Sequence, residues 1–342
     1  MSSRSARDYE RFEDDLQDRA SSRSSRPRSK RRPAHSAAVP ARVTTVDRGR
    51  FTCRLELESG DPGAEVSAVR AREMRRGAVV VGDLVGLVGD VSGDDGTLAR
   101  LVRVEPRSTT LRRTADDTDP VERVIVANAD QLGIVTAATD PEPRPRLIDR
   151  CLVAAFDGGL RPLLVVTKTD LTEADGLLAT YSALDVAVVA TRRDEAPSAV
   201  LRALQGRRTV LVGPSGVGKS TLVNALIPDA DRAVGGVNPV TGRGRHTSSS
   251  AIALPLVGGG WAIDTPGVRS FGLAHVDLAR VLAAFPDLDE GAQHCPRGCD
   301  HLNDSCALDA WVDQGQASPD RLGSLRRLLA AREAGDDTAD VS

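Results

Sequence analysis

Lysine is nearly missing from this chain. Of 342 residues only Lys30, Lys168 and Lys219 are lysines, against 42 arginines. A chain that uses arginine wherever bare positive charge suffices keeps lysine where the guanidinium fork does not fit. Aromatic residues are scarce at 3%, so any nucleic-acid contact rests on phosphate pairing more than on base stacking. No apolar run approaches the ~18 residues needed to span a bilayer, which leaves no helical membrane anchor. The opening stretch lacks the apolar core of a secretory signal. The expected setting is therefore cytoplasmic, with no membrane partner. There are five cysteines. Cys53 and Cys151 lie far apart and read as buried thiols, while Cys295, Cys299 and Cys306 cluster, which in a cytosolic chain suggests metal over disulfides.

Charge is segregated along the chain. The net value of −3 hides seven Arg or Lys residues, and no acid, between Arg19 and His35. Residues 1–38 read as a disordered basic arm rich in Ser, Arg and Pro. Residues 39–112 carry short β-type runs at Ala41–Val46, Phe51–Leu57, Val79–Val81, Leu84–Val88 and Leu98–Val104. Turns such as Ser59-Gly60-Asp61-Pro62-Gly63 separate them, as expected of a small OB-like β-barrel. From 113 to 275 the pattern is α/β, with buried strands at Gln131–Thr136, Leu163–Thr167, Val186–Ala190, Thr209–Val212 and Trp261–Ile263. Helices are expected at Arg146–Asp157 and Lys219–Ile227. This alternation means a mainly parallel sheet with ligands at the carboxyl ends of its strands. Residues 276–334 read as a helical module, with helices at Val276–Phe285 and Pro319–Ala334, and 335–342 as an acidic tail. The fold class is thus multidomain: barrel, P-loop α/β domain and C-terminal helical module.

The strongest motif is Gly213-Pro214-Ser215-Gly216-Val217-Gly218-Lys219-Ser220, continued by Thr221, between an apolar strand and a helical run. This is the GxxxxGK[ST] phosphate loop in its strand–loop–helix setting. Its amides and the helix N-terminus suit phosphate; Lys219 suits the β- and γ-phosphates and Ser220 suits Mg²⁺. Downstream, Trp261-Ala262-Ile263-Asp264-Thr265-Pro266-Gly267 ends a strand in Asp-x-x-Gly, which offers Asp264 to Mg²⁺ and the Gly267 amide to the γ-phosphate. Between them runs Gly242-Arg243-Gly244-Arg245-His246-Thr247, a segment suited to an order–disorder switch, with Thr247 the candidate Mg²⁺ ligand. Val268 follows Gly267, where many GTPases have a water-orienting Gln; His246, beside Thr247, is the candidate to position the attacking water.

Upstream lies Thr167-Lys168-Thr169-Asp170, at the end of a buried run. A carboxylate here accepts two hydrogen bonds from guanine, whereas adenine would leave it unpaired. The motif order is guanine, P-loop, switch, Mg²⁺ aspartate, which is permuted relative to ordinary GTPases. The spacing C-x₃-C-x-H-x₄-C of Cys295, Cys299, His301 and Cys306 offers a Cys₃His set for one structural Zn²⁺. His301 is preferred to His294 because it lies within the thiol spacing.

With these residues assembled, the chain resembles the ribosome small-subunit-dependent GTPases, the RsgA/YjeQ family, over roughly residues 40–330. The likeness includes Glu105-Pro106-Arg107-Ser108-Thr109-Thr110-Leu111-Arg112-Arg113, Ile125-Val126-Ala127-Asn128-Ala129-Asp130, Phe285-Pro286-Asp287-Leu288, the permuted motifs and the Cys/His cluster. The resemblance implies a GTP hydrolase acting late in maturation of the small ribosomal subunit, stimulated by that subunit, with a barrel that touches rRNA. GTP, Mg²⁺ and Zn²⁺ are the implied ligands, and the chain is expected to be monomeric. Thr167 stands where the family usually has Asn, and the metal spacing is shorter by one residue in two places. Two competing readings are a non-enzymatic RNA-binding scaffold and an ATP-using P-loop enzyme.

Overall fold

The structure, a computed structural model, describes residues 35–57, 62–72, 74, 79–113, 123–227, 251–265, 273, 276–303 and 306–333. Five strands form the barrel: β1 (Val39–Asp47), β2 (Arg50–Glu56), β3 (Pro62–Arg70), β4 (Leu84–Gly89) and β5 (Ala99–Val104). They pair in the order β1-β2-β3-β5-β4, and β4 closes back onto β1. The period-2 alternation of β strands explains the core. Phe51 and Cys53 on β2 face inward opposite Ala68 and Val66 on β3, with Val43, Leu87 and Leu101 filling the rest.

One expected strand gives way to another. Val79–Val81 contributes only an isolated bridge, Val81 to Val126. The missing strand is β3, whose Pro62-Gly63 start imitates a turn. Buried Val66 and Ala68 alternating with exposed Glu65 and Ser67 carry its real signal.

A hairpin of β6 (Thr110–Arg113) and β7 (Arg123–Ala127) follows. The next sheet runs β10-β9-β8-β11-β13-β12. Its members are β8 (Gln131–Ala137), β9 (Arg161–Thr167), β10 (Ala187–Ala190), β11 (Arg208–Val212), β12 (Ile252–Pro255) and β13 (Trp261–Asp264). All neighbours are parallel except β12–β13. Strands covered on both faces read as continuous apolar runs, and every residue of β8 is buried. Alternate side chains serve opposite faces. Leu132, Ile134, Leu164 and Val166 pack with helix α1 (Pro145–Asp157), whereas Val135, Leu163, Val165 and Leu211 pack with α3 (Ser198–Leu204) and α4 (Lys219–Leu226). Helix α2 (Asp175–Tyr181) follows β9. Strand β12 also pairs with β1, Ile252 opposite Thr45, so barrel and α/β sheet form one eleven-stranded sheet.

The C-terminal region holds α5 (Leu278–Leu282), α6 (Pro286–Ala292), α7 (Ala307–Asp313) and α8 (Pro319–Glu333). The single helix expected over Val276–Phe285 is shorter and a second follows it. The Asp277 carboxylate caps α5 by accepting from the Ala279 amide at 3.0 Å. Pro286, unable to donate to a preceding turn, ends that run and opens α6. Leu322, Leu325, Leu328 and Leu329 of α8 share one core with Ile148 and Leu152 of α1 and with Cys306 and Leu308.

Candidate functional site

Among the described residues, four loops and the end of β13 lie at the carboxyl ends of the parallel strands, where an open α/β sheet takes its ligands. The loop from β11 runs through Gly213–Gly218 into α4. Gly213 is required by close approach, since a Cβ there would lie 2.3 Å from the Val135 carbonyl oxygen. Gly218 caps α4 in the left-handed region, φ +87°, which an L side chain rarely adopts. Lys219, the first residue of α4, donates from Nζ to Oδ1 of Asp264 at the end of β13. Ser220 and Thr221 are exposed on the first turn of α4. The neighbouring Thr265 hydroxyl is buried and donates to the Leu211 carbonyl at 2.9 Å, which fixes the end of β13 against β11.

The loop from β9 carries Thr167, Lys168 and Asp170. Thr167 is buried beneath the P-loop. Its hydroxyl lies 2.6 Å from the Val217 carbonyl oxygen and 3.2 Å from that of Thr136. Lys168, at φ +59°, donates to the backbone carbonyl of Asp140 in the loop after β8. That same loop touches the P-loop: Pro141 Cδ lies 3.6 Å from where a Gly216 Cβ would stand. Oδ1 of Asp170 accepts from the Arg193 amide at 3.2 Å, and the Thr169 hydroxyl donates to the Thr191 carbonyl at 3.2 Å. The loop after β10 is therefore the wall beside Asp170.

Sequence reasoning missed Asp140 and the Arg193 contact to Asp170. The only available signal was topological: loops that follow adjacent parallel strands must adjoin at the same edge. His246, Thr247 and Gly267 lie outside the described residues. So do most of the basic arm and the whole acidic tail.

The Cys/His set lies between α6 and α7. The ligand atoms of Cys295, Cys299, His301 and Cys306 all fall within 4.8 Å of one another. Cys295 Sγ is 3.5 Å from Cys306 Sγ and 3.6 Å from His301 Nδ1, and Cys306 Sγ is 3.5 Å from that nitrogen. Zinc–sulfur bonds of ~2.3 Å in a tetrahedron require edges of about 3.8 Å, so these donors fit a zinc ion. Burial holds the His301 imidazole below its ordinary value, with Arg326 acting the same way against Asp300, which favours the neutral ligand form. Burial pushes the Cys306 thiol up to about 12, so a thiolate here needs a cation beside it. His294 instead stacks on Trp311, ring centroids 5.6 Å apart. Arg326 braces the Cys/His loop from α8, donating to the His301 carbonyl at 3.0 Å and clasping Asp309 at 2.7 and 2.9 Å.

A family model described as "RsgA GTPase" matches residues 104–274. Small ribosomal subunit biogenesis GTPase RsgA of Azotobacter vinelandii is 38% identical over 287 residues, covering 81% of this chain and 81% of that protein. Its counterpart in Pseudomonas aeruginosa strain LESB58 is 38% identical over 291 residues, covering 82% and 83%. The chain belongs to the RsgA GTPase family. Two solved structures share the fold. YjeQ from Thermotoga maritima has TM-score 0.62 at 24% identity, covering 86% of this chain and 99% of that one. YloQ, described as a circularly permuted GTPase, has TM-score 0.63 at 23% identity, covering 89% and 98%. Permutation in this RsgA-family chain is a matter of chain order alone. Strands β8, β9 and β10 precede the P-loop strand β11 in sequence and lie on one side of it in the sheet, with β8 its direct neighbour.

Proposed function

We propose that this chain is a GTP hydrolase that acts in late maturation of the small ribosomal subunit. The observation that carries the reading is the junction of two motifs: Thr167 of the guanine loop bonds to the carbonyl of Val217 in the phosphate loop. Base recognition and phosphate binding are thereby held at one spacing. Asp170 accepts from the two guanine donors, and the Lys168 stem covers the ring. Residues Gly213–Gly218 and Thr221 wrap the phosphates, each but Pro214 with a main-chain amide to offer, and Lys219 neutralises the β- and γ-oxygens. On nucleotide binding, Lys219 exchanges its Asp264 partner for phosphate. Asp264, Ser220 and Thr247 are then the residues that would hold Mg²⁺, which would offset negative charge on the phosphates. Gly267 would offer its amide to the γ-phosphate. His246 positions the attacking water.

The division of labour follows the organisation of the chain. The barrel, 39–112, and the basic arm, 1–38, contact rRNA through phosphates. The permuted GTPase domain, 113–275, does the chemistry. The helical module, 276–334, holds one structural Zn²⁺ on Cys295, Cys299, His301 and Cys306, ahead of the acidic tail 335–342. The protein works as a cytoplasmic monomer, and its macromolecular partner is the subunit with its rRNA.

Single-turnover hydrolysis of GTP and of ATP, with and without purified small subunits, tests this reading. GTP is expected to turn over slowly alone and at least about 100-fold faster on the subunit, while ATP is ignored; electrostatic and positioning groups of this kind contribute ~10²–10³. His246→Ala should lose most of the stimulation with GTP affinity nearly intact. Hydrolysis that subunits leave unchanged would favour the scaffold reading, and equal use of ATP would refute the guanine assignment.

A further inference from the structure

Helix α8 touches both the metal loop and the nucleotide domain through consecutive residues. Arg326 donates to the carbonyl of the metal-ligand candidate His301. Its neighbour Arg327 points into the GTPase domain. The Arg327 Nε lies 3.1 and 3.3 Å from the two carboxylate oxygens of Asp149 on α1. Its Nη2 lies 3.4 Å from the Thr180 carbonyl on α2. Its guanidinium sits 5.2 Å over the Tyr181 ring, within cation–π range.

The two helices held by Arg327 are not arbitrary. Helix α1 leads out of the loop whose Asp140 carbonyl accepts from Lys168. Helix α2 leads out of the loop that carries Lys168 and Asp170. Tyr181 joins the pair, donating from its hydroxyl to the Pro145 carbonyl at the start of α1, at 3.2 Å. A side chain bonded to both helices sets the spacing of the two loops that frame the guanine site.

This contact is also hard to give up. The Asp149 side chain is only 4% exposed. Burial drives its carboxyl upward against the opposing pull of Arg327. Removing one partner of a buried pair leaves an uncompensated charge, which is far more costly than the pair is beneficial. A movement of α8 that withdraws Arg327 therefore forces α1 to rearrange. The apolar face of α8 reinforces this, because Leu325 and Leu328 share one core with Leu152 of α1 and with Cys306.

We propose that Arg327 is a positioning residue of the guanine-nucleotide site and that, paired with Arg326, it makes nucleotide and metal occupancy mutually reinforcing. The inference rests on the zinc and guanine assignments made above. Linkage requires reciprocity: whatever factor zinc adds to nucleotide affinity, nucleotide adds to zinc affinity.

The test uses the full zinc-loaded chain. GDP affinity and zinc content are measured first. Zinc release to a chromophoric chelator and dissociation of a fluorescent GDP are then followed, each with and without the other ligand. GDP is expected to slow zinc release about tenfold, within the range of ~5–150-fold typical of coupled sites. Zinc removal should speed GDP dissociation, and the two affinity factors from equilibrium titration should be equal. In Arg327→Gln both factors should fall close to one, although both ligands still bind. If that variant does not fold, Arg327→Lys carries the test. It keeps a cation against Asp149 but lacks the fork that also reaches Thr180, so its factors should be clearly reduced. Failure to bind GDP or zinc at the outset overturns the functional reading and this inference together. Binding of both with no mutual effect overturns the inference alone, as does a variant coupled as strongly as the wild type.

Discussion

Thr167 stands at the junction of two loops, and geometry sets what it does there. A residue at this point could act on the base or on the scaffold, and here it acts on the scaffold. Thr167 is 5% exposed and its hydroxyl lies against the Val217 and Thr136 carbonyl oxygens, while the Asp170 carboxylate accepts from the Arg193 amide. A short side chain with one donor suffices for that tie. Thr167→Val keeps the shape and removes the donor, leaving the Val217 carbonyl short of a partner. A lost buried hydrogen bond of about 1–3 kcal/mol should weaken GTP and GDP binding by roughly tenfold or more, with the preference for GTP over ATP unchanged. Fluorescent-nucleotide titration measures both numbers. A selective loss of guanine preference would mean that Thr167 contacts the base after all. The candidates that sequence could name were those with fixed local spacing: Gly213–Ser220, Asp264 and Asp170. Asp140 and Arg327 were not legible, because their partners are distant in the chain and only the fold brings them together.

At the scale of elements, legibility followed burial. Strands β8, β9 and β11 are covered on both faces, so their apolar runs stand out. Strand β12 is four residues long and ends in Pro255, and β3 begins with Pro62-Gly63, so neither displays a clean run. Helices α2 and α3 are two turns each, too short for the 3.6-residue period to emerge. The described residues between α6 and α7 have no regular structure to hold them and close around the Cys/His donors. Zinc is expected to supply that closure, since a structural site contributes folding energy outright. Purification without chelator should give one zinc per chain. Stripping it should release α7 and the start of α8 to proteolysis and lower the melting temperature. A chain that contains no zinc, or that resists protease equally after stripping, would refute the structural role.

At the scale of the whole molecule, the barrel is built into the GTPase sheet. The seam centres on Gly82 and Asp83. Gly82 has φ +89°, and a Cβ there would lie 1.9 Å from the Ala127 carbonyl oxygen, so no other residue fits. Its carbonyl accepts from Arg42 of β1 at 3.1 Å and from buried Asn128 at 3.0 Å, and Asn128 also accepts from the Ser108 amide. Asp83 is fully buried and held by Arg107 at 2.7 and 2.9 Å and by the Val80 amide. Arg208 at the start of β11 clasps Asp130; burial works against that carboxylate, but the Arg208 bonds outweigh it and hold its pKa below the usual range. The Asp130 contribution is thus present above the ordinary aspartate value and is lost as pH falls through the lowered one. These contacts, together with the β1–β12 pairing, make the barrel and the catalytic sheet a single mechanical unit. Calorimetry on the intact chain should therefore show them melting in one transition. Arg107→Ala strands the Asp83 carboxylate in the seam, which should cost about 3 kcal/mol or more. It should lower the melting temperature without changing GDP affinity, because the seam lies at the strand ends opposite the phosphate loop. Two separable transitions in the wild type would show that the barrel is only tethered, and an Arg107→Ala protein of unchanged stability would show that the Asp83 charge finds another partner.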